Sequence, residues 1–264
     1  MVAFDEWACY YDLVHEGLPG EAEFYVGLAV RTQGRALELG AGTGRIAIPM
    51  AMSGVDVLGI DNSMAMLAQC RAKKRAIGKT SGRLTLVCAD MKDFALAAQF
   101  RFIAMAYRTF MHLLTPADRR ACLETVRRHL SDDGIFVMNS WVPSASYLAA
   151  VRGASRGRRM QLAGRYPIRG TDITLVHYHA TEYDERTRLL TERHLIREVD
   201  ARGHVLEERV LPLVRTWQTP REVADLLQAC GFEVDALYGD FACSPFSAGS
   251  TEMIWIAKKK ARGT

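Results

Sequence analysis

Three glycines at alternate positions, Gly40, Gly42 and Gly44, follow the short apolar run Ala36-Leu37-Glu38-Leu39 and precede a helical pattern. A run of that kind is a buried strand turning sharply into a helix, because glycine accepts positive φ and lets another molecule approach the backbone. The following helix, expected over 44–53, would aim its free N–H groups at whatever lies above the turn. The spacing is G-x-G-x-G, and Arg45 stands where a dinucleotide fingerprint would put its third glycine. That mismatch points away from a pyrophosphate and towards a nucleoside with a short polar tail.

Two further acids strengthen this reading. The next apolar run, 55–60, ends at Asp61, where a carboxylate can accept both hydroxyls of a ribose lying across the strand ends. The third run, 84–89, ends at Asp90-Met91; an acid there suits the exocyclic amine of adenine, with Met66, Met91 and Phe94 as apolar surface. Each acid alone is ordinary as a helix cap or turn former. Three successive strands each ending in a polar group at one sheet edge are not.

The stretches Leu37-Glu38-Leu39-Gly40-Ala41-Gly42-Thr43-Gly44, Gly59-Ile60-Asp61-Asn62-Ser63-Met64-Ala65-Met66-Leu67 and Ala89-Asp90-Met91 resemble the class I S-adenosylmethionine-dependent methyltransferases. His112-Leu113-Leu114-Thr115 and 129–137 are similar to the segment between that family's fourth and fifth strands. The resemblance covers 35–140, with a weaker tail that resembles bacterial amino-sugar N-methyltransferases. It implies S-adenosylmethionine as cofactor, with Gly40, Gly42 and Gly44 accommodating the methionine part, Asp61 the ribose, and Asp90 and Met91 the adenine. Met66 would cover the adenine. Glu38, Ala41, Asn62, Tyr107 and Tyr11 complete the expected cofactor set, Tyr11 through a Tyr-Asp pair that in the family often closes over the cofactor.

The expected architecture is α/β: a doubly wound, mostly parallel seven-stranded sheet of the Rossmann-like methyltransferase type, with an inserted antiparallel β meander as lid. Helices are expected at 3–15 and 20–32, followed by strand 35–40, helix 44–53, strand 55–60, helix 63–77, strands 83–88 and 101–107, helix 116–131 and strand 134–140. Residues 144–170 read as an irregular, arginine-rich, solvated connection (Arg152, Arg156, Arg158, Arg159, Arg165, Arg169), and 173–184, 187–198 and 204–216 as the meander. A helix at 220–230 and strands at 232–239 and 251–258 complete the sheet. The domain division is an N-terminal helical lid (1–34), a cofactor-binding core (35–143), an inserted substrate subdomain (144–218) and core completion (219–264).

Methyl transfer from a sulfonium needs a nucleophile at near-attack distance and exclusion of water; it needs a base only where the acceptor must lose a proton. The candidate catalytic residues are Tyr11 and His112, and the acceptor-side candidates Tyr10, Arg108, Phe110 and Trp141. His177 and His179 share one face of a β-patterned run, a solvent-facing pair being the plainer expectation. No metal is expected. The segment 107–110 lacks the Pro-Pro-aromatic element, Pro-Cys nucleophile or paired glutamates that family resemblance ties to base, cytosine-C5 or protein-arginine methylation, so the expected acceptor is a small molecule methylated on nitrogen or oxygen. Alternatives are an S-adenosylmethionine-binding accessory or sensor protein, an RNA or protein methyltransferase, and a nicotinamide-dependent oxidoreductase, the last disfavoured by Arg45.

Composition sets the remaining limits. The 264 residues, 49% hydrophobic, suffice for one large core, and no run approaches a membrane span. The acidic N-terminus lacks the basic start of a secretion signal, and six scattered cysteines without a C-x-x-C pair suggest reduced thiols, so the cytoplasm is expected. A net charge of +4 is too small to argue for nucleic acid. A homodimer is compatible with the chain.

Overall fold

The computed structural model describes residues 4–152 and 159–261. It divides into two compact units: Gly17–Val142 with Trp217–Thr264, and Met1–Glu16 with Pro143–Thr216. The first boundary leaves the helix at Glu21–Thr32 in the larger unit.

In the larger unit, β1 (Ala36–Leu39), β2 (Val57–Asp61), β3 (Leu84–Cys88), β4 (Phe100–Met105), β5 (Leu130–Trp141), β10 (Phe232–Tyr238) and β11 (Glu252–Lys259) form one sheet in the order β10-β11-β5-β4-β1-β2-β3. β11 runs antiparallel between β5 and β10; the pairings among β1–β5 are parallel. This is the expected mostly parallel seven-stranded sheet. The chain steps outward from β1 to β3 and then returns to the other side of β1 as β4. That reversal puts a topological switch point, the usual ligand crevice of open α/β sheets, at the carboxyl ends of β1 and β4.

Both faces of the sheet are covered because its central strands β1, β4, β5 and β11 bury side chains on both sides. Leu37, Leu39, Ile103, Met105, Phe136 and Met138 pack against α5 (Pro116–His129) and α7 (Pro220–Ala229). Their alternate neighbours, Ala36, Phe102, Ala104 and Val137, pack against α2 (Glu21–Thr32), α3 (Ala47–Met52) and α4 (Met64–Ile77). Local chemistry fixes the helix starts. Ser63 and Thr115 each accept a backbone N–H three residues on, and Thr219 with Glu222 forms a reciprocal capping box. α3 begins at Ala47, later than the glycines suggest, because Gly44 still belongs to the turn, its N–H bonded to the Ala41 carbonyl.

The smaller unit is built on a four-stranded antiparallel sheet: β6 (Gln161–Pro167), β7 (Thr174–Asp184), β8 (Leu189–Val199) and β9 (Val205–Thr216). It has one strand more than the expected meander. The stretch 144–170 is not the solvated connection expected: it holds α6 (Ala145–Val151), capped by Ser144, and β6. Its Arg156 and Arg158 lie outside the described residues. The N-terminal helix is shorter than 3–15; residues 4–10 form successive turns and only α1 (Tyr11–Val14) is helical. Trp7 and Tyr10 pack on Leu175, Ile196 and Leu211 to make this unit's own core.

Among the described residues no helix is long and apolar enough to cross a membrane, and no group of three or more His, Cys, Asp or Glu side chains is arranged to hold a metal ion. All six cysteines are free thiols.

Candidate functional site at the carboxyl edge of the sheet

The parallel strands bring Gly40–Gly44, Asp61, Asp90, Tyr107–Arg108 and Trp141 to one edge. Gly40, Gly42 and Gly44 all have positive φ (73°, 52° and 85°), so the turn needs glycine at each. A Cβ on Gly40 would lie 2.6 Å from Thr109 Cγ2, and one on Gly44 2.4 Å from Cys70 Sγ. These two glycines therefore let the strand, the turn after β4 and α4 close up. A Cβ on Gly42 would come nearest to the Met66 methyl group, at 3.3 Å. That contact places Met66 beside the turn.

Asp61 joins the turn to the end of β2. Its two carboxylate oxygens accept the N–H groups of Gly42 and Ser63, each at 2.8 Å. Asn62 lies between, its carbonyl facing the Cys88 thiol at 3.7 Å. Asp90 closes its own turn by accepting the Lys92 N–H at 2.9 Å, and the Lys92 ammonium lies 3.6 Å from its other oxygen. Ala41 is buried and donates to the Ile60 carbonyl at 2.9 Å; Met91 is half-buried against the core of the larger unit.

Beneath the edge lie two buried acids, the expected cofactor-binding Glu38 and a second, Glu21, that the sequence did not single out. Glu38 on β1 and Glu21 on α2 are 3% and 1% exposed. Burial holds the Glu38 carboxyl well above the usual range, the nearby Glu21 adds to this, and the Ala47 N–H and Arg45 oppose it. Glu38 Oε2 is buried with no hydrogen-bond partner among the described residues. Burial also raises Glu21, against the N–H groups of Tyr107 (2.8 Å) and Leu18 that it accepts. Arg45, in place of a third fingerprint glycine, lays its guanidinium 4.3 Å from the Tyr107 ring centroid.

After β4 the backbone takes a left-handed course at two non-glycine residues, Tyr107 (φ 51°) and Arg108 (φ 64°). Such conformations cost about 1–2 kcal/mol per residue and persist where surroundings fix them. Here the Glu21 carboxylate holds the Tyr107 N–H and Glu252 holds the Arg108 guanidinium. Arg108 Nε is 2.9 Å from Glu252 Oε1, and its Nη2 also bonds that oxygen. Glu252 Oε2 accepts from Asn139 Nδ2 at 3.0 Å, and Asn139 Oδ1 accepts the Tyr25 hydroxyl at 3.0 Å. Arg108, an acceptor-side candidate, is thus bound within the protein, 5.8 Å from the half-buried Trp141 ring.

The candidates do not all sit at this edge. Phe110 is fully enclosed in the core and supports the 3-10 turn Thr109–His112 from within, so it offers no surface to an acceptor. His112, half-buried, ends that turn. Tyr10 and Tyr11 belong to the smaller unit; Tyr10 is taken up by packing, and burial raises its hydroxyl pKa. His177 is buried rather than solvent-facing, and His179 is half-buried. Sequence reasoning missed Glu21, Glu252 and Asn139. Only the burial of Glu21 and Glu252 in otherwise apolar patterns could have signalled them.

A crevice of this kind fits an adenosyl sulfonium amino acid. It offers an orphaned buried carboxyl oxygen at the end of β1, a glycine turn with a carboxylate bonded to it, and a further acid after β3. The comparisons agree. Residues 36–134 match the family described as a methyltransferase domain. The chain is 28% identical over 226 residues to the dTDP-3-amino-3,6-dideoxy-alpha-D-glucopyranose N,N-dimethyltransferase of Streptomyces fradiae, covering 76% of this chain and 85% of that protein. Among solved structures it is similar to the CcbJ methyltransferase of Streptomyces caelestis (TM-score 0.76, 24% identity, 98% and 97% of the two chains). It is also similar to CalS10, an amino pentose methyltransferase of Micromonospora echinaspora solved with S-adenosylmethionine (TM-score 0.65, 21% identity, 97% of each chain). At these identities the two solved structures share the fold.

Proposed function

We propose that this S-adenosylmethionine-dependent methyltransferase transfers its methyl group to the nitrogen of a small hydroxylated amine of the amino-sugar class. The observation that carries the reading is the extent of the likeness to the Streptomyces fradiae enzyme: it runs over 226 residues, well beyond the 36–134 domain match.

S-adenosylmethionine supplies a methyl group on a sulfonium, open to in-line displacement by a lone pair. The chain's own work is binding, orientation and exclusion of water. Gly40, Ala41, Gly42 and Gly44 would take the methionine part, with Glu38 Oε2 as an acceptor for its ammonium. Asp61, with Asn62, would hold the ribose by lone pairs left over from Gly42 and Ser63, and Asp90, Met91 and Met66 the adenine. Tyr107 is held in place by Glu21 and Arg45 to wall the crevice. A neutral amine attacks without a base. An acceptor bound as an ammonium must first lose a proton, and His112, at the end of the turn after β4, is the candidate to accept it. Tyr11 is retained as a contact to cofactor or acceptor from the N-terminal segment, and the smaller unit as the part that recognises the acceptor. A cytoplasmic enzyme, monomeric or homodimeric, suits such a role.

The test is turnover by the purified chain of a panel holding dTDP-3-amino-3,6-dideoxyglucose, simple alkyl amines and phenols, read as release of S-adenosylhomocysteine. The amino sugar is expected to be methylated and the phenols not. Methylation of phenols alone would overturn the nitrogen assignment. Tight S-adenosylhomocysteine binding without turnover of any acceptor would favour the accessory or sensor reading.

A further inference from the structure

One face of the smaller unit's sheet carries a line of buried polar side chains beside that unit's apolar core. His177 and His179 on β7 and Glu192 and His194 on β8 all point to this face, since His179 pairs with His194 and alternate residues share a side. His177, Glu192 and His194 are each 5–6% exposed. Glu192 Oε2 lies 3.1 Å from His194 Nε2, and His194 Nδ1 lies 2.9 Å from His177 Nε2. Arg215 on β9 bonds the other Glu192 oxygen.

The chemistry gives this chain of bonds a direction. Glu192 is ionised beside Arg215, and a carboxylate only accepts, so His194 Nε2 must carry a proton and donate it. A singly protonated His194 then has a lone pair on Nδ1, which accepts from His177 Nε2–H. His177 Nδ1 is left as the open end of the line, an acceptor backed by a charge two rings away. That atom is buried with no hydrogen-bond partner among the described residues. Trp7 stands edge-on to His194, ring centroids 4.8 Å apart, and its indole N–H, a donor, is likewise buried without a partner. Sheet cores rarely keep such atoms unsatisfied. The line of bonds thus ends in an orphaned acceptor on His177, and the indole packed against His194 carries an orphaned donor.

We propose that Glu192, His194 and His177 form a one-way hydrogen-bond relay whose open end, His177 Nδ1, binds a hydroxyl or amine of the methyl acceptor, with the Trp7 indole as the complementary donor. Arg215, Glu192 and His194 are positioning residues: they fix the tautomer of His177 and touch no ligand. This rests on the reading of the chain as a methyltransferase of small hydroxylated amines and deepens it, because an uncharged line of imidazoles suits a polyol ring better than an anion.

The test uses the full chain with 15N-labelled histidine and long-range 1H–15N correlation, resonances being assigned with His177→Gln and His194→Gln. Both imidazoles are expected as Nε2–H tautomers at pH 8; an Nδ1–H tautomer at His177 overturns the relay. Addition of dTDP-3-amino-3,6-dideoxyglucose is expected to move the His177 Nδ1 resonance, and dTDP alone to leave it in place. Movement with neither, or equally with both, overturns the assignment to the sugar. In turnover, His177→Phe is expected to raise the acceptor KM about tenfold, the loss of one hydrogen bond, with S-adenosylhomocysteine affinity unchanged by calorimetry. An unchanged acceptor KM overturns the proposal. Failure of the unsubstituted chain to bind S-adenosylhomocysteine would instead strike the methyltransferase reading, which the tautomer measurement does not depend on.

Discussion

The carboxylate of Asp61 accepts the N–H of Gly42 at 2.8 Å across 19 positions of sequence, so the acid ending β2 and the glycine turn after β1 are one structural piece. A second bond, from the Ser63 N–H, uses the other oxygen and sets the start of α4. The residue proposed to bind ribose is therefore also what shapes the turn proposed to hold the methionine part. Asp61→Ala should weaken S-adenosylhomocysteine binding at least tenfold, since bonds to a charged acceptor are worth about 1.5–3 kcal/mol. Asp61→Asn, which keeps one acceptor oxygen, should fall between. Calorimetry on the three proteins reads this directly; unchanged affinity in Asp61→Ala would falsify the ribose role.

The glycines of the turn differ in what surrounds them, and a paired substitution separates backbone from packing. Gly44 and Gly54 both have positive φ, 85° and 92°. A Cβ at Gly44 would sit 2.4 Å from Cys70 Sγ and 2.9 Å from Ile48 Cδ1, whereas at Gly54 nothing lies within 4 Å. Gly54→Ala should cost only the left-handed strain, about 1–2 kcal/mol. Gly44→Ala adds a clash inside a packed core and should cost several kcal/mol more, read as a lower urea midpoint. Equal losses in the two variants would show that the contact to Cys70 relaxes freely.

Arg108 and Glu252 form the ion pair that holds the turn after β4. Glu252 is 5% exposed and also accepts from Asn139, so its removal leaves a part-buried guanidinium and an amide without their acceptor. Glu252→Ala should destabilise by about 3–5 kcal/mol, the range for breaking a buried pair from one side. Arg108→Met with Glu252→Leu should recover part of that loss. A double-mutant cycle with no coupling energy would remove the pair as the reason for the left-handed backbone at Tyr107 and Arg108.

Much of this arrangement was legible in the chain because it depends on local rules. The alternating glycines and the acids at the ends of β2 and β3 are each set by neighbours within a few positions. The Glu252–Asn139 bond spans 113 residues, and its partners meet only because β11 runs antiparallel beside β5. No sequence signal marks Tyr107 and Arg108 as left-handed, since nothing but glycine announces that conformation reliably. β6 was hidden because five of its seven residues, Arg165 among them, are exposed, so it carries no alternating apolar signal, and α6 is only seven residues long with none of them buried. His177 was misjudged for a related reason. Period-two spacing shows that two histidines share a face, but not whether that face is wet.

The polar line on the smaller unit's sheet should make its stability fall in acid in two steps. Burial, with His194 and His179 nearby, lowers His177 from 6.5 to about 4. The unfolded chain therefore takes up this proton before the folded one, and stability is lost as pH falls from 6.5 to 4. Burial would raise Glu192, but Arg215 and His194 outweigh it and bring the carboxyl from 4.5 to about 2. Its contribution is complete above 4.5 and is lost as pH falls towards 2. Each shift corresponds to ~3 kcal/mol. His179, Tyr147 and Arg215 face the same groups; His179 is itself lowered by burial and adds to the first step. Hydrogen exchange of β7 and β8 amides between pH 7 and 3 should therefore show protection falling in the wild-type chain. His177→Gln should flatten the upper limb alone and Glu192→Gln the lower. If His177→Gln left the slope between pH 6.5 and 4.5 as steep as before, the buried, neutral state of that imidazole would be refuted.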